Sequence, residues 1–365
     1  MYQEHFLPAR PSDSYHYQCI LINFRPTARK IRFTGECEVT MGTSTVYRYT
    51  QLYNFIIATL AIYPLYHFIT RNLVKIVFKA NLKILLLIYF GIFLVLTIQF
   101  SAISAYNLFN PFFLSHSCDI LVPAGLYHPA HVLIFSSFTT PMFFPLSISI
   151  VSALETRNAS ICQKIVMGPI VGAVAIFVDV VIVALIYYGE SFEGKAISII
   201  MAPSSVAPKS NVFLTFLFGF NVFNFLSLFV LLRVNNLAVK GLYVMSQKYE
   251  TERIIQSTRF IISVLSCQTL FYGIYLTFAL VNRHFKDVLF PSDQVFQSFR
   301  GTPIAFVITN NLAVVFVAKL SLKKQKSERS TRVQNAMQLK HTGMEGFKNY
   351  NQTVMNAWRI GTVDL

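Results

Sequence analysis

Charged residues gather in short clusters along this chain, and long uncharged stretches separate the clusters. Asp, Glu, Lys and Arg are all absent from residues 49–70, 84–118, 120–154, 210–232, 260–282 and 301–318. A further stretch, 165–189, contains one charged residue, Asp179. A membrane-spanning helix needs about 20 mostly apolar residues, so all seven stretches qualify. The alternating segments of about ten residues that mark a transmembrane β-barrel are not seen.

The pattern therefore predicts an all-α membrane protein, a bundle of seven transmembrane helices, since a helix in lipid satisfies its own backbone hydrogen bonds. Residues 1–51 would form an extracellular segment, 52–318 the transmembrane domain and 319–365 a cytoplasmic tail. The apolar piece 19–24 is too short for a signal-peptide core, so we expect the first helix to direct insertion. The predicted spans are residues 52–70, 84–104, 131–153, 165–188, 211–232, 260–282 and 302–318.

The positions of Lys and Arg predict the orientation, because cytoplasmic loops carry an excess of them. With the N-terminus outside, 20 of the 31 Lys and Arg residues lie in cytoplasmic loops and the tail. The basic cluster in residues 25–32 opposes this orientation, but it lies about 20 residues before the first span, at the limit of the rule's reach. Seven spans then place the C-terminus inside. The basic segment 323–326 would meet anionic membrane lipid or simply stop transfer.

Composition narrows the class further. Of the 365 residues, 54% are hydrophobic and 13% are charged, whereas soluble domains average about 25% charged residues. This excludes a disordered chain and argues against a soluble enzyme. The net charge of +15 would suit nucleic acid, but no nucleic-acid-binding motif occurs and no such partner is expected. No P-loop, HExxH, G-x-S-x-G or paired-cysteine pattern is found, so we expect no catalytic residues, no metal and no cofactor.

Three of the five cysteines fall on the predicted outer side, where disulfides form. Cys118 precedes the third span, and the second outer loop, 189–210, has no cysteine. The disulfide that commonly joins these two places in seven-helix receptors therefore cannot form. Cys37 is the favoured partner of Cys118, Cys19 is the competing one, and three free thiols are the remaining alternative.

Several polar residues fall inside the predicted spans, where an unpaired polar group is costly. Asp179 is the only charge deep within a span, and we expect it to face the bundle and bond to Asn, Gln or Ser on another helix. Contact with a ligand is the alternative. Asn310 and Asn311 are expected to form interhelical hydrogen bonds. Gly168 and Gly172 form a GxxxG pattern that permits close helix approach, so a homo- or heterodimer is an open alternative.

An acid and a base occur together at the inner end of the third span, in Glu155-Thr156-Arg157. A carboxylate and a guanidinium at the membrane edge can pair in one state and separate in another, which frees the arginine for a partner. This arrangement is a familiar switch in seven-helix receptors. A positive inner loop can also contain the same residues by chance, which is the alternative interpretation.

Four short motifs follow one another along the chain. They are Cys37-Glu38-Val39-Thr40-Met41, Phe78-Lys79-Ala80-Asn81-Leu82-Lys83, Glu155-Thr156-Arg157-Asn158-Ala159-Ser160 and Ser246-Gln247-Lys248-Tyr249-Glu250-Thr251-Glu252-Arg253. Their order resembles the nematode serpentine chemoreceptors of the class alpha superfamily, most closely the class alpha/beta group. In the second motif Lys79 replaces the usual His, and in the third one residue separates Glu155 from Arg157. Met245, just before the fourth motif, and Glu250 and Arg253 within it also depart from the family pattern. The tail is also similar, so the resemblance covers roughly residues 36–360.

The resemblance implies a G-protein-coupled chemosensory receptor in the plasma membrane of sensory neurons, with cilia as the expected site. An unknown small-molecule ligand would bind within the outer half of the bundle, and a heterotrimeric G protein would contact the inner face. That face would include Glu155, Arg157, Lys248, Tyr249, Glu252 and Arg253. One alternative is a ligand-gated cation channel of the inverted seven-helix type, which needs the N-terminus inside. Another is a transporter, although the internal repeats typical of transporters are not seen.

Overall fold

The structure of this protein is a computed structural model. It describes residues 45–76, 78–113, 122–156, 161–190, 195–196, 198–200, 202–203, 205–240, 245–338, 347–348, 350–352 and 354–355. The predicted N-terminal segment therefore lies almost entirely outside the described residues, as do the last ten residues of the tail.

Seven long helices dominate the fold. They are α1 (Thr45–His67), α2 (Ala80–Phe113), α3 (Ala124–Thr156), α4 (Ile161–Ile186), α5 (Ala207–Lys240), α6 (Met245–His284) and α7 (Ile304–Gln338). A π-helical segment, Phe68–Leu73, continues α1 directly. Each helix overlaps one predicted span, and all seven are long and apolar enough to cross a membrane. The predicted all-α bundle of seven transmembrane helices is confirmed.

Several helices extend well beyond the apolar stretches that predicted them. The spans left residues 233–259 as a loop, whereas α5 continues to Lys240 and α6 begins at Met245. The start of α6, residues 245–259, is rich in Lys, Glu, Gln and Arg, which are good helix formers. Hydropathy detects only the part of a helix that lipid surrounds, so these polar extensions carried no signal.

Helix α3 is the central helix of the bundle. Its most apolar part is 67% buried, compared with 22–44% for the other six helices. It packs against α2, α4, α5 and α6, while α1 packs against α2 and α7. Contacts of α7 with α6, and of α6 with α5, complete the bundle. Side chains along α3 can therefore contact four of the other six helices.

The interior contains two apolar clusters, one toward each end of the bundle. We call the end at which α1, α3, α5 and α7 begin the N-terminal end. The cluster at that end includes Phe138, Tyr272 and Val307, and the cluster toward the opposite end includes Tyr89 and Phe260. Lipid tails are as apolar as these side chains, so close packing, rather than removal from water, is what holds such a core together.

Helices α2 and α4 approach closely through the GxxxG pattern. The Gly168 N–H donates a hydrogen bond to Asn81 Oδ1 at 3.1 Å. A Cβ atom placed on Gly168 would lie 2.5 Å from the backbone carbonyl oxygen of Asn81, and one on Gly172 would lie 3.0 Å from Leu85 Cδ2. The two glycines therefore face α2 of the same chain.

Short elements connect the helices at the N-terminal end. Strand β1 (Val122–Pro123) pairs antiparallel with β2 (Lys195–Ala196), with Val122 opposite Ala196 and Pro123 opposite Lys195. Two short helices, Lys286–Leu289 and Asp293–Arg300, lie between α6 and α7. Ser292 caps the second of them, because its Oγ accepts from the Val295 N–H at 3.4 Å. These elements bring side chains from distant parts of the sequence to one end of the bundle.

Candidate functional site

A cavity of about 450 Å³ lies between the helices at the N-terminal end. Its aromatic wall includes Phe100 of α2, Phe135 and Phe138 of α3, and Tyr275 of α6. The rings of Phe138 and Tyr275 are in edge contact, with 5.4 Å between their centroids. Residues of α5 and α7 complete the lining. The volume falls within the roughly 300–1,000 Å³ that is typical of small-molecule pockets.

One side of this cavity is basic. Arg283 at the end of α6 and Lys286 and Arg300 in the two short helices all line it, and none of its described lining residues is acidic. Lys286 Nζ lies 5.3 Å from the ring centroid of Phe296, which is a cation–π distance. Arg300 Nη2 donates to the carbonyl oxygen of Ala202 at 3.0 Å. The cavity thus combines aromatic side chains of α2, α3 and α6 with cations where α6 is connected to α7.

His131 is a buried residue of the cavity lining and forms two hydrogen bonds. Its Nδ1 lies 2.6 Å from the Ile199 carbonyl oxygen, and its Nε2 lies 2.7 Å from the Tyr187 hydroxyl oxygen. A carbonyl oxygen only accepts, so Nδ1 carries a proton and donates to Ile199. In the neutral imidazole, Nε2 then accepts from the hydroxyl of Tyr187. His131 therefore joins α3 both to the end of α4 and to the segment that follows it.

The segment between α4 and α5, residues 187–206, is attached to the bundle at several places in its described part. Strand β2 pairs with β1, which directly precedes α3. Further along, Ser198 Oγ accepts from Asn107 Nδ2 of α2 at 3.4 Å. The Ile199 and Ala202 carbonyl oxygens accept from α3 and from Arg300, as described above. Sequence reasoning missed these attachments, because backbone acceptors and a two-residue strand leave no pattern in the side chains.

Helix α3 is tied to α2 and α6 in the middle of the bundle. A proline inside a helix leaves the carbonyl four residues earlier without its helical donor, and Pro145 does this to the carbonyl of Pro141. Gln268 Nε2 of α6 donates to that oxygen at 3.0 Å. The Tyr89 hydroxyl of α2 donates to Gln268 Oε1 at 2.5 Å. A change in the position of α6 at the cavity would therefore strain contacts with both neighbouring helices.

Asp179 lies in the interface between α4 and α3 and is fully buried. Its carboxylate accepts hydrogen bonds from Thr140 Oγ1 at 2.6 Å, Thr139 Oγ1 at 2.7 Å and Ser136 Oγ at 3.0 Å. All three donors belong to α3, so the partners of Asp179 are hydroxyl groups on one neighbouring helix. Asp179 does not line the cavity.

Asn310 and Asn311 of α7 are both fully buried within the bundle. Asn311 Nδ2 donates to Thr97 Oγ1 of α2 at 3.0 Å, which is an interhelical hydrogen bond. Asn310 has no partner for either side-chain polar atom within the described residues, and the same holds for the fully buried Asn54 of α1. Asn310 therefore does not form the protein hydrogen bond expected of it there.

The residues predicted for the inner face occur at the opposite end of the bundle. Arg253 Nη2 of α6 donates to the Phe78 carbonyl oxygen, between α1 and α2, at 3.3 Å, and Glu252 is partly exposed beside it. Lys248 and Tyr249 lie in the first turns of α6, and Glu155 lies in the last turn of α3, but their side chains are outside the described set. Arg157 and the disulfide candidates Cys37 and Cys118 lie outside the described residues altogether.

Comparison with known proteins identifies the family of this bundle. The sequence profile described as "Serpentine type 7TM GPCR chemoreceptor Srb" matches residues 43–272, which include α1 to α5 and the first two thirds of α6. The chain belongs to the Srb family of serpentine chemoreceptors. Serpentine receptor class beta-13 of Caenorhabditis elegans is 32% identical over 321 residues, 86% of this chain and 93% of the relative. Serpentine receptor class beta-3 of the same organism is 30% identical over 326 residues, 88% and 95% of the two chains.

The family match corrects one expectation from the sequence. The four motifs favoured the class alpha/beta group, whereas the matching profile and both relatives are class beta. Short motifs at helix ends, each with departures, carry much less information than identities spread over more than three hundred aligned positions. The broader expectation of a seven-helix serpentine chemoreceptor, a multi-pass membrane protein, is confirmed.

Proposed function

We propose that this chain is a G-protein-coupled chemosensory receptor. It binds a small-molecule cue in the cavity at the N-terminal end and signals to a heterotrimeric G protein from the opposite end. The cavity is the observation that carries the proposal, because it has the volume of a small-molecule site and contacts five of the seven helices. The chemoreceptor family of the chain supports the same function.

The orientation is part of this proposal. The excess of Lys and Arg after the first, third and fifth spans and in the tail supports an N-terminus outside and a C-terminus in the cytoplasm. The cavity then faces the extracellular side, where a diffusing cue arrives. For a chemoreceptor of sensory neurons, the plasma membrane of the cilia is the proposed location.

Signalling requires that ligand binding favours one arrangement of the helices over another. A ligand in the cavity touches α6 through Tyr275, and α6 reaches the opposite end in one continuous helix. There, α6 carries Lys248, Tyr249, Glu252 and Arg253. Together with Glu155 and Arg157, these residues form the proposed G-protein face. Separation of the Glu155 and Arg157 side chains would release the arginine for the G protein.

Topology is the first test, because it separates the receptor from a channel of the inverted type. Each terminus would carry an epitope tag, and intact cells would be stained before and after permeabilisation. An accessible N-terminal tag and a hidden C-terminal tag support the receptor. The reverse pattern would contradict it and favour the inverted ligand-gated channel.

The G-protein face is tested by Arg157→Ala in a G-protein activation assay in cells. The substitution should reduce signalling without reducing the amount of receptor at the cell surface. Lys348→Ala, which changes an exposed basic residue of the tail, is the matched control and should have no effect. Normal signalling by Arg157→Ala would remove this residue from the mechanism.

A further inference from the structure

The charge distribution around the cavity indicates what kind of ligand it binds. Three cationic side chains line it, and no acid is found among the described lining residues. Among the acids whose side chains are described, Glu190 does not line the cavity, and its carboxylate accepts from Ser205 Oγ at 2.5 Å. The salt bridge of Arg259 with Glu328 lies at the opposite end of the bundle. Arg283 and Arg300 therefore have no anionic partner among the described side chains.

Two of the three cations are held in place by contacts within the protein. Arg300 is fixed by its hydrogen bond to the Ala202 carbonyl oxygen, which uses one N–H group of its guanidinium and leaves others to donate. Lys286 is positioned against the Phe296 ring. Arg283 is exposed beside the cavity and lies close enough to Arg300 for their charges to repel. Two like charges at one site are unfavourable unless an anion offsets them.

The apolar walls of the cavity determine the chemistry of the part of the ligand that does not contact the cations. An apolar surface is formed by Ile134, Phe135 and Phe138 of α3. A charged or strongly polar group placed against this surface would lose its hydrogen bonds to water and gain none from the protein. A ligand with an apolar body against this surface and an acidic group toward Arg300 and Arg283 would match both the apolar and the basic side of the cavity. Arginine binds a carboxylate through two parallel N–H bonds, which also fixes the ligand's direction.

We infer that the ligand is a small organic carboxylate with an aromatic or aliphatic body, bound with its carboxylate at Arg300 and Arg283. This inference rests on the proposed function for the role of the cavity and adds the chemical class of the ligand. A neutral alcohol of the same shape would place a weaker acceptor against the two guanidinium groups. An amine would add a third positive charge to them.

The test uses matched probes and needs no G protein. The full-length receptor would be reconstituted in nanodiscs of neutral phosphatidylcholine, so that anionic lipid does not compete. Binding of phenylacetate, 2-phenylethanol and 2-phenylethylamine, and of octanoate, 1-octanol and octylamine, would be measured by competition and by thermal shift. We expect each carboxylate to bind about tenfold more tightly than its alcohol, which is the effect of one charge-assisted hydrogen bond. The amines should bind no better than the alcohols.

The variants assign the preference to the arginines. Arg300→Gln and Arg283→Gln should each bring carboxylate and alcohol to within about threefold of one another, and Arg300→Lys should keep part of the preference. Lys209→Gln removes an exposed cation near the start of α5 that does not line the cavity, and it should change nothing. Because Arg283 is exposed, its variant should fold even if Arg300→Gln does not.

The outcomes separate this inference from the proposed function. Carboxylate binding that depends on the arginines, with no G-protein activation, would support the ligand class and contradict the signalling role. Activation of a G protein by neutral probes would support the receptor and overturn the ligand class. Equal binding of acids and alcohols, an unchanged preference in both glutamine variants, or no binding by any probe would also overturn it.

Discussion

The environment of Asp179 explains how a single acidic residue is accommodated deep within a membrane span. Burying a charge in lipid costs a few kcal/mol or more, so an intramembrane acid needs partners. Three hydroxyl groups of α3 supply them, and the hydroxyl oxygens of Thr139 and Thr140 also lie 3.0 and 2.7 Å from carbonyl oxygens of their own helix, to which the single O–H can donate instead. The hydroxyls therefore keep a backbone acceptor if the carboxylate is removed.

Substitution of Asp179 should lower the stability of the bundle in proportion to the hydrogen bonds lost. Interhelical hydrogen bonds in membrane proteins contribute about 0.6 kcal/mol each, so Asp179→Val should cost about 2 kcal/mol. Asp179→Asn keeps one acceptor oxygen and should cost less. The measurement is thermal unfolding of the purified receptor in detergent, with Thr140→Val as a control that removes one donor.

The same pair of variants distinguishes a structural role from contact with a ligand. If the role of Asp179 is structural, Asp179→Val should lower the melting temperature more than Asp179→Asn does. The folded receptor should then bind any ligand with unchanged affinity in both variants. A loss of ligand affinity in Asp179→Asn at unchanged melting temperature would instead show that the carboxylate touches the ligand.

At the scale of helices, the approach of α2 to α4 depends on what each glycine faces. A Cβ on Gly168 meets backbone atoms of Asn81, at 2.5 Å from the carbonyl oxygen and 2.7 Å from Cα. A Cβ on Gly172 meets only the ends of Leu85 and Ile88, at 3.0 and 3.3 Å. Backbone cannot rotate away as a side-chain end can, so the first contact forces the helices apart.

Alanine substitutions at three glycines should therefore give an ordered series in thermal unfolding. Gly168→Ala should cost at least about 1–3 kcal/mol, the usual effect of overpacking, and Gly172→Ala less. Gly91→Ala is the matched control on α2, because no heavy atom lies within 4 Å of its Cβ position. It should be neutral or stabilising by up to about 1 kcal/mol, since alanine favours helix. Equal melting temperatures for all three variants would contradict the close contact.

The helices themselves were predictable, whereas most of what arranges them was not. Uncharged stretches located all seven spans, because lipid demands a continuous apolar surface. The polar start of α6 at Met245 gave no such signal. Asn81 appeared in a motif and Gly168 in a GxxxG pattern, but only the fold shows that they contact each other. Asn310 was expected to find a protein partner, and in the described residues it has none.

At the cavity, the sequence shows which residue types are present but not that they come together in the fold. Arg283, Lys286 and Arg300 were counted only as outer-loop charges, because their convergence depends on two short helices that hydropathy does not predict. His131 was not singled out, since a lone histidine in a span has no fixed role. A histidine in an otherwise aromatic apolar span was the one sequence signal that could have indicated this site.

At the scale of the whole molecule, α6 is held at the end opposite the cavity and in its middle, and its other end reaches the cavity. Arg253 bonds to the Phe78 carbonyl oxygen at the end opposite the cavity, Gln268 bonds to α3 in the middle, and Tyr275 lines the cavity. The Arg259–Glu328 pair also joins α6 to α7, with atoms 3.9 Å apart and side chains 43% and 42% exposed. Pairs as exposed as this contribute about 0–1 kcal/mol.

The proposed signalling role predicts that the Arg253–Phe78 contact restrains α6 in the resting receptor more than the Arg259–Glu328 pair does. Arg253→Ala should raise ligand-independent G-protein activation about fivefold, because loss of about 1 kcal/mol from the resting arrangement shifts the equilibrium by that factor. Glu328→Gln should change it less than twofold, within the range of an exposed pair. The measurement is basal activation normalised to receptor at the cell surface. Equal effects of the two substitutions would show that the Phe78 contact does not restrain α6, whereas lower basal activity in Arg253→Ala would show that Arg253 acts mainly in the proposed G-protein face.

The way in which residues 187–206 are attached bears on how such a receptor acquires new ligands. Strand pairing and the bonds at Ile199 and Ala202 all use main-chain atoms of the segment, which every residue type except proline provides in full. These main-chain bonds can therefore persist when the side chains at these positions change. Ala202, which lines the cavity, is one such position. Evolution can change the surface that a ligand meets by single substitutions, without rebuilding the scaffold that presents it.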